Sequence, residues 1–132
     1  MTIVEFLEAR VDGDEEVARD AAGWNSSGLV RDEGLWRRDG VNSVIDSARR
    51  MVVYGDGSAP DDSKAEHIVR HDPARVLREV AAKRAIMAEH GIDQDPCDAH
   101  DAMYESVPCD VILNLAAIYL DHPDYQAEWA IP

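Results

Sequence analysis

The feature that most restricts how this chain can fold is a polar segment without helical or strand periodicity, residues 91–107, between two segments of helical periodicity. Its large apolar side chains are only Ile92, Met103, Tyr104 and Val107. A loop of this length is uncommon inside a compact domain unless something else orders it. The sequence therefore predicts a cross-link of some kind at this point of the chain.

Four residues of types that bind metal ions lie in or beside this segment: His90, Cys97, His100 and Cys109. Their spacing is His-x6-Cys-x2-His-x8-Cys. Cys97 and His100 fit a knuckle, in which one tight turn directs both side chains at one ion. His90 ends one predicted helix and Cys109 begins the next, where the helix dipole favours a thiolate. The sequence predicts a tetrahedral zinc ion held by these four side chains. With all four used no position stays open, so the site is structural rather than catalytic.

Other interpretations of the same residues stay open. The two cysteines are the only ones in the chain, and they could form a disulfide, although disulfides rarely persist in the cytosol. They could also be buried thiols, with the histidines at the surface. Cys97 or Cys109 paired with His100 as a nucleophile is a further alternative, but a thiolate bound to zinc is a poor nucleophile.

A second histidine pair, His67 and His71, is four residues apart, a spacing that metal sites on helices use. Asp72-Pro73 breaks the helix directly after His71 and no third ligand is evident, so the sequence does not favour a metal site there. His122, which precedes Pro123, is interpreted as a helix-boundary residue rather than a base.

Periodicity and turn signals predict one α+β domain over residues 1–132. Residues 1–23 are expected to form a helix with a Thr2/Glu5 capping box and a stop at Gly23. Residues 24–60 are expected to form a small antiparallel meander, with Asp39-Gly40 as its hairpin signal.

Residues 61–132 are expected to form a helical half that carries the zinc site. Ser63 and Glu66 predict a second capping box, and Asp72-Pro73 predicts a helix start. That helix is expected to end at His90 and to have one apolar face: Val76, Leu77, Val80, Ala81 and Met87, with Arg84 inside this stripe. Pro108 is expected to open a last apolar helix, which Asp121-His122-Pro123 ends.

The charge of the chain is strongly negative, with 27 acidic and 13 basic residues and a net charge of −14. Residues 85–132 contain ten acidic residues and no Lys or Arg. This balance argues against a nucleic-acid-binding protein that neutralises phosphates. The acidic segment is interpreted as a solubilising surface, as a surface that imitates DNA phosphates, or as a segment that a bound cation partly neutralises.

No apolar run approaches the ~20 residues of a membrane-spanning helix, and the first residues lack the apolar core of a signal peptide. We therefore expect a cytoplasmic protein without a membrane partner. Phosphate-binding and nucleophile-elbow motifs are absent, which favours a protein that is not an enzyme. An enzyme that uses Arg84, His67, His71 or a zinc-bound water is the weaker alternative.

The chain has two long distinctive motifs: the run from His67 to Val80 (HIVRHDPARVLREV) with residues 82–84, and the tail from Tyr119 to Tyr125 (YLDHPDY) continuing through Trp129. Both motifs resemble an uncharacterised family of small proteins from actinomycetes and their phages. The first helix looks similar as well, and the resemblance is weakest over residues 24–60.

The resemblance also bears on the predicted zinc site. Family members commonly have a histidine after the central helix, then Cys-x2-Cys, then Pro-Cys at the next helix. The matching positions here are His90, Cys97, His100 and Pro108-Cys109, with histidine in place of the second cysteine, which preserves a zinc ligand. The family implies no known activity, but it implies a phage or prophage context.

Taken together, these observations predict a small acidic zinc-binding protein of the bacterial cytoplasm that acts by protein–protein interaction. We expect it to be a phage or prophage accessory factor whose partner is a host or phage protein. A DNA-mimic inhibitor of a nucleic-acid-binding protein is the main alternative.

Overall fold

The computed structural model describes residues 1–23, 33–40, 42–54, 61–90 and 109–131. Within these residues the chain forms four α-helices, three β-strands and one short 3-10 helix, and the predicted α+β class with a small antiparallel sheet is confirmed. In chain order they are α1 (Ile3–Ala21), β1 (Arg37–Asp39), β2 (Ser43–Ile45), β3 (Met51–Val53), α2 (Asp62–Arg70), α3 (Pro73–Glu89), α4 (Asp110–Ala117) and the 3-10 helix (Ala127–Trp129).

The chain divides into two compact units. The terminal unit comprises Met1–Gly13 and Val80–Pro132, and the central unit comprises Asp14–Glu79. The boundaries therefore fall inside α1 and inside α3. The single domain over residues 1–132 stays a prediction. In the sequence, the terminal unit contains 13 of the 27 acidic residues and three of the 13 basic ones, so it carries most of the negative charge.

The predicted capping box at the start of α1 is confirmed. The Thr2 backbone N–H donates to Glu5 Oε2 at 2.6 Å, and the Glu5 N–H donates to Thr2 Oγ1 at 3.1 Å. These two bonds satisfy backbone donors that the first turn of a helix leaves without partners. At the other end Gly23 takes a φ of 77°, the left-handed conformation typical of a residue after a helix.

The three strands form one sheet in the order β1-β2-β3, with antiparallel pairing throughout. The Asp39-Gly40 hairpin signal is confirmed, because β1 ends at Asp39 and Gly40 has a φ of 73°. In the second turn the buried Asp46 carboxylate accepts the backbone N–H groups of Ala48 and Arg50, at 3.0 and 2.8 Å. Residues 24–32, 41 and 55–60 of the predicted meander lie outside the described residues.

The predicted capping box of Ser63 and Glu66 is wrong. Asp61 caps α2 instead, because its carboxylate accepts the Lys64 N–H at 2.9 Å, and the Ser63 hydroxyl donates to the same carboxylate. The Lys64 N–H, and after it the Ser63 hydroxyl, lower the pKa of Asp61. The Glu66 side chain pairs with Arg70 at 3.0 Å and with Arg38 at 3.5 Å, so it does not return to the cap.

The predicted start of α3 at Asp72-Pro73 is confirmed. The nearly buried Asp72 accepts the Arg75 N–H on one oxygen at 2.9 Å and the Trp36 N–H on the other at 3.2 Å. Ala74 N–H also donates to Gly34 O at 2.9 Å. The hydrogen bonds to Gly34 and Trp36 thus attach residues 34–36, which precede β1, to the N-terminus of α3.

The predicted apolar face of α3 is correct for Val80 and Met87, which are buried, whereas Val76 and Leu77 are half-buried. It is wrong for Ala81, which is exposed. A single methyl group adds little apolar area, so its position in the stripe constrains the helix weakly.

The core of the terminal unit contains an aromatic cluster around Phe6. Phe6 is fully buried, and its ring centroid lies 5.1–6.3 Å from those of four rings: Tyr119, His122, Tyr125 and Trp129. Helix α4 contributes the buried Ile112 and Ala116 and ends at Ala117, before the predicted stop at Asp121-His122-Pro123. None of the helices that the structure describes is both long and apolar enough to cross a membrane.

Candidate metal centre

His90 follows the last residue of α3, and its backbone N–H still donates to Ile86 O at 3.0 Å. The helical turn is therefore complete at His90, and its half-buried side chain is held by a rigid element. Its Nδ1 atom lies 3.8 Å from Cys109 Sγ.

Cys109 is the N-cap residue of α4. Its side chain makes no capping hydrogen bond, while its carbonyl accepts the Leu113 N–H at 3.1 Å. The residue is only 5% exposed and its thiol is free. The sulfur is thus fixed by the helix start and directed towards His90 rather than used for capping.

The distance between the two side chains fits a shared ion. A tetrahedral zinc ion with bonds of about 2.0 Å to nitrogen and 2.3 Å to sulfur separates these atoms by about 3.5 Å. The observed 3.8 Å requires only a small closure. The same distance also permits a weak S–H···N hydrogen bond, so the geometry is compatible with both the metal-free and the metal-bound state.

The structure brings together two of the four predicted ligands. Cys97 and His100 lie outside the described residues. Among the residues that are described, no group of three or more His, Cys, Asp or Glu side chains has an arrangement suited to a metal ion. The four-ligand site therefore stays a prediction.

The second histidine pair is also brought together. The rings of His67 and His71 are stacked, with centroids 4.2 Å apart and planes inclined by 31°. His67 lies in the last turn of α2 and His71 is its C-cap residue, so Asp72-Pro73 ends the helix without separating the rings.

Arg84, a candidate of the enzyme alternative, points to solvent rather than into the core. Its guanidinium pairs with Asp12 at 2.7 Å, and the two side chains are 43% and 70% exposed. An exposed pair of this kind contributes little to stability. Arg84 thus lies at the predicted stripe with its guanidinium at the surface, paired with a carboxylate.

A lysine–tyrosine contact in the terminal unit was not predicted. Lys83 Nζ donates to the Tyr119 hydroxyl at 2.9 Å and lies 5.0 Å from the centroid of the tyrosine ring. The two residues are 36 positions apart in the chain, so no local pattern indicates their contact.

The acidic side chains of segment 85–132 are solvent-exposed wherever they are described. This holds for five carboxylate residues: Glu89, Asp110, Asp121, Asp124 and Glu128. The other five lie outside the described residues. Exposed carboxylates are expected for a solubilising surface, for a DNA-mimicking surface and for a partner-binding surface. Their exposure therefore does not distinguish these three interpretations.

Comparison with known proteins gives a family but no activity. The chain matches no curated protein and no solved structure. The model of a family described as "Family of unknown function (DUF6221)" matches residues 1–131, in agreement with the resemblance to an uncharacterised family. Because the match extends over nearly every residue, the chain belongs to this family of unknown function, DUF6221.

Proposed function

We propose that the protein binds one structural zinc ion through His90, Cys97, His100 and Cys109. The observation that carries the proposal is the 3.8 Å distance between His90 Nδ1 and Cys109 Sγ, the two outer members of the spaced set. Both side chains lie at helix ends, which supports a role for them as half of a tetrahedral ligand set. The sequence supplies the other half within the intervening residues.

In this proposal the ion adds stability where the sequence between α3 and α4 has few large apolar residues. Zinc binding to small domains is worth on the order of 10 kcal/mol, comparable with the net stability of a whole domain, ~5–15 kcal/mol. The metal is therefore expected to supply a large share of the stability of the terminal unit.

The test is elemental analysis of the purified chain together with thermal unfolding. We expect about one zinc per chain, and we expect a strong chelator to lower the melting temperature markedly. Cys109→Ser should abolish stoichiometric zinc and lower the melting temperature in the same way.

Ile112→Ala is the matched control, because Ile112 is buried on the same helix. The cavity it creates costs about 2–5 kcal/mol, yet the folded variant should retain zinc. A wild-type chain that purifies without zinc, and that unfolds at the temperature of Cys109→Ser, would overturn the proposal.

The biological role that we infer is protein–protein interaction without catalysis, in the cytoplasm of a bacterial host and in a phage or prophage context. It is supported by the concentration of negative charge in the terminal unit, where all five described acidic residues of segment 85–132 are exposed. The fitting partner is a host or phage protein with a basic surface, because complementary charge steers association and fixes orientation.

The same exposed carboxylates favour a second candidate, a DNA mimic that inhibits a nucleic-acid-binding protein. A complex recovered from bacterial lysate on the immobilised chain should dissociate with rising salt under both candidates. Competition by duplex DNA separates them, because only a mimic occupies the DNA-binding surface of its partner.

A further inference from the structure

We propose that His67 and His71 form a second, open metal site, a bidentate bis-imidazole chelate for a divalent transition-metal ion. Both histidines belong to the central unit and both are exposed to solvent. The site is independent of the zinc site proposed at His90 and Cys109, which lies in the terminal unit.

The hydrogen bond of His71 prepares it as a ligand. Its Nδ1 lies 2.8 Å from the backbone carbonyl oxygen of His67. A carbonyl only accepts, so Nδ1 carries the hydrogen, and the lone pair of the neutral ring is on Nε2. A ring N–H bonded to a backbone carbonyl is the arrangement that orients metal-ligating histidines in proteins.

The His67 ring is close enough to bind the same ion. Its centroid lies 4.2 Å from that of His71, and two nitrogens on one ion are about 3 Å apart when each bond is about 2.1 Å. Across the described chain, stacking with His71 is the only ring contact or hydrogen bond that this imidazole makes. It can therefore turn towards a shared ion without breaking a hydrogen bond.

The surroundings of the pair suit a cation. The histidines end α2, where the carbonyl groups of a helix concentrate partial negative charge. The nearby Arg70 is paired with Glu66 at 3.0 Å, which offsets its positive charge. Imidazole nitrogen is a ligand that Ni²⁺, Cu²⁺ and Zn²⁺ accept.

Two protein ligands leave the remaining coordination positions to water. No third His, Cys, Asp or Glu completes the pair in the described ranges. The ion should therefore exchange freely, in contrast to the closed zinc site. An open site can also accept a ligand from a small molecule.

The test is calorimetric titration of the zinc-loaded full chain with Ni²⁺, which binds imidazole and does not oxidise thiols. We expect one exchangeable Ni²⁺ per chain. Replacing either imidazole, in His67→Asn or His71→Asn, should weaken binding at least about tenfold, because the chelate is lost. Both residues are exposed, so circular dichroism should show an unchanged fold.

A histidine control makes the result specific. His122→Gln removes an imidazole of the terminal unit that belongs to neither proposed site, and it should bind Ni²⁺ as the wild type does. A wild-type chain that binds no Ni²⁺, or histidine-pair variants that bind it equally well, would refute the chelate whatever the fate of the zinc site.

Discussion

Asp61 and Asp72 each accept a hydrogen bond from the backbone N–H three residues later, and Glu5 closes the reciprocal capping box with Thr2. A capping side chain satisfies a donor that the helix itself cannot, which is typically worth ~1 kcal/mol. The Thr2 backbone N–H, and then the Thr2 hydroxyl, lower the pKa of Glu5. Its ionised form is thereby favoured in the folded protein.

At the residue scale we predict a pH-dependent contribution of Glu5 to stability. The pKa of Glu5 is lower in the folded protein than in the unfolded chain. Its stabilising contribution is therefore fully present above the unfolded pKa of about 4.3, and it is lost as the pH falls through the folded pKa. Glu5→Gln should therefore unfold at a lower temperature than wild type at neutral pH, and the two curves should converge in acid.

Glu16→Gln is the control, since it removes an exposed carboxylate from the same helix outside the capping box. The difference in unfolding temperature between Glu16→Gln and the wild type should not decrease at acidic pH as it does for Glu5→Gln. A Glu5→Gln difference that is constant with pH would contradict the prediction.

Sequence reasoning locates the caps at Thr2 and Asp72 but not the cap at Asp61. Around Asp72 the following proline leaves one choice, whereas residues 61–63 offer three side chains that can cap. The choice is made by tertiary contacts, because Arg38 binds Asp62 at 2.6 Å and also approaches Glu66. These contacts occupy the carboxylates that local rules would assign elsewhere.

At the element scale, three glycines occupy different backbone environments. Gly13 lies inside α1, where a Cβ atom would meet nothing within 4 Å, and Gly40 is equally open but has a φ of 73°. Gly34 has a φ of 76°, and a Cβ there would lie 2.9 Å from Ala74 N. Alanine at position 13 therefore tests helix propensity, and alanine at position 40 tests backbone strain. Alanine at position 34 tests a steric clash in addition to that strain.

We predict opposite effects of alanine at these positions. Gly13→Ala should stabilise the protein by about 0.5–1 kcal/mol, because alanine is the better helix former. Gly40→Ala should destabilise it by about 1–2 kcal/mol through left-handed strain. Gly34→Ala should cost more than Gly40→Ala, because the backbone of α3 obstructs the added methyl. Chemical denaturation of the three variants measures this order, and a Gly34 variant as stable as the Gly40 variant would contradict it.

The elements differ in how well the sequence predicts them. Periodicity and an Asp-Gly pair locate α1, α3 and the first hairpin, because these signals are local. The shorter extent of α4 and the exposure of Ala81 depend on which apolar groups find partners across the unit. For the candidate metal site, the spacing predicts four ligands. The structure shows that two of them, His90 and Cys109, lie close together.

At the scale of the whole molecule, charge is unevenly distributed, with the terminal unit carrying 13 acidic and three basic residues. Such a surface accelerates association with a basic partner, and the effect weakens with ionic strength. The proposed interaction therefore depends on carboxylates of this unit rather than on total charge.

We predict that Asp121→Asn, Asp124→Asn and Glu128→Gln together weaken the complex with a basic partner and reduce its salt dependence. The matched control is Glu16→Gln, Asp20→Asn and Glu33→Gln, which removes the same charge from exposed positions of the central unit. Association rates measured over a range of salt concentrations make the comparison. Equal losses in both triple variants would indicate a net-charge effect and would contradict a specific acidic surface.

The burial of Phe6 by rings from Tyr119 to Trp129 has a consequence for synthesis on the ribosome. Phe6 leaves the ribosome more than a hundred residues before the rings that cover it. Its side chain therefore cannot make these contacts until residue 129 has left the exit tunnel. Contacts of such long sequence separation slow folding, so chaperones have time to bind the nascent chain before this aromatic cluster forms.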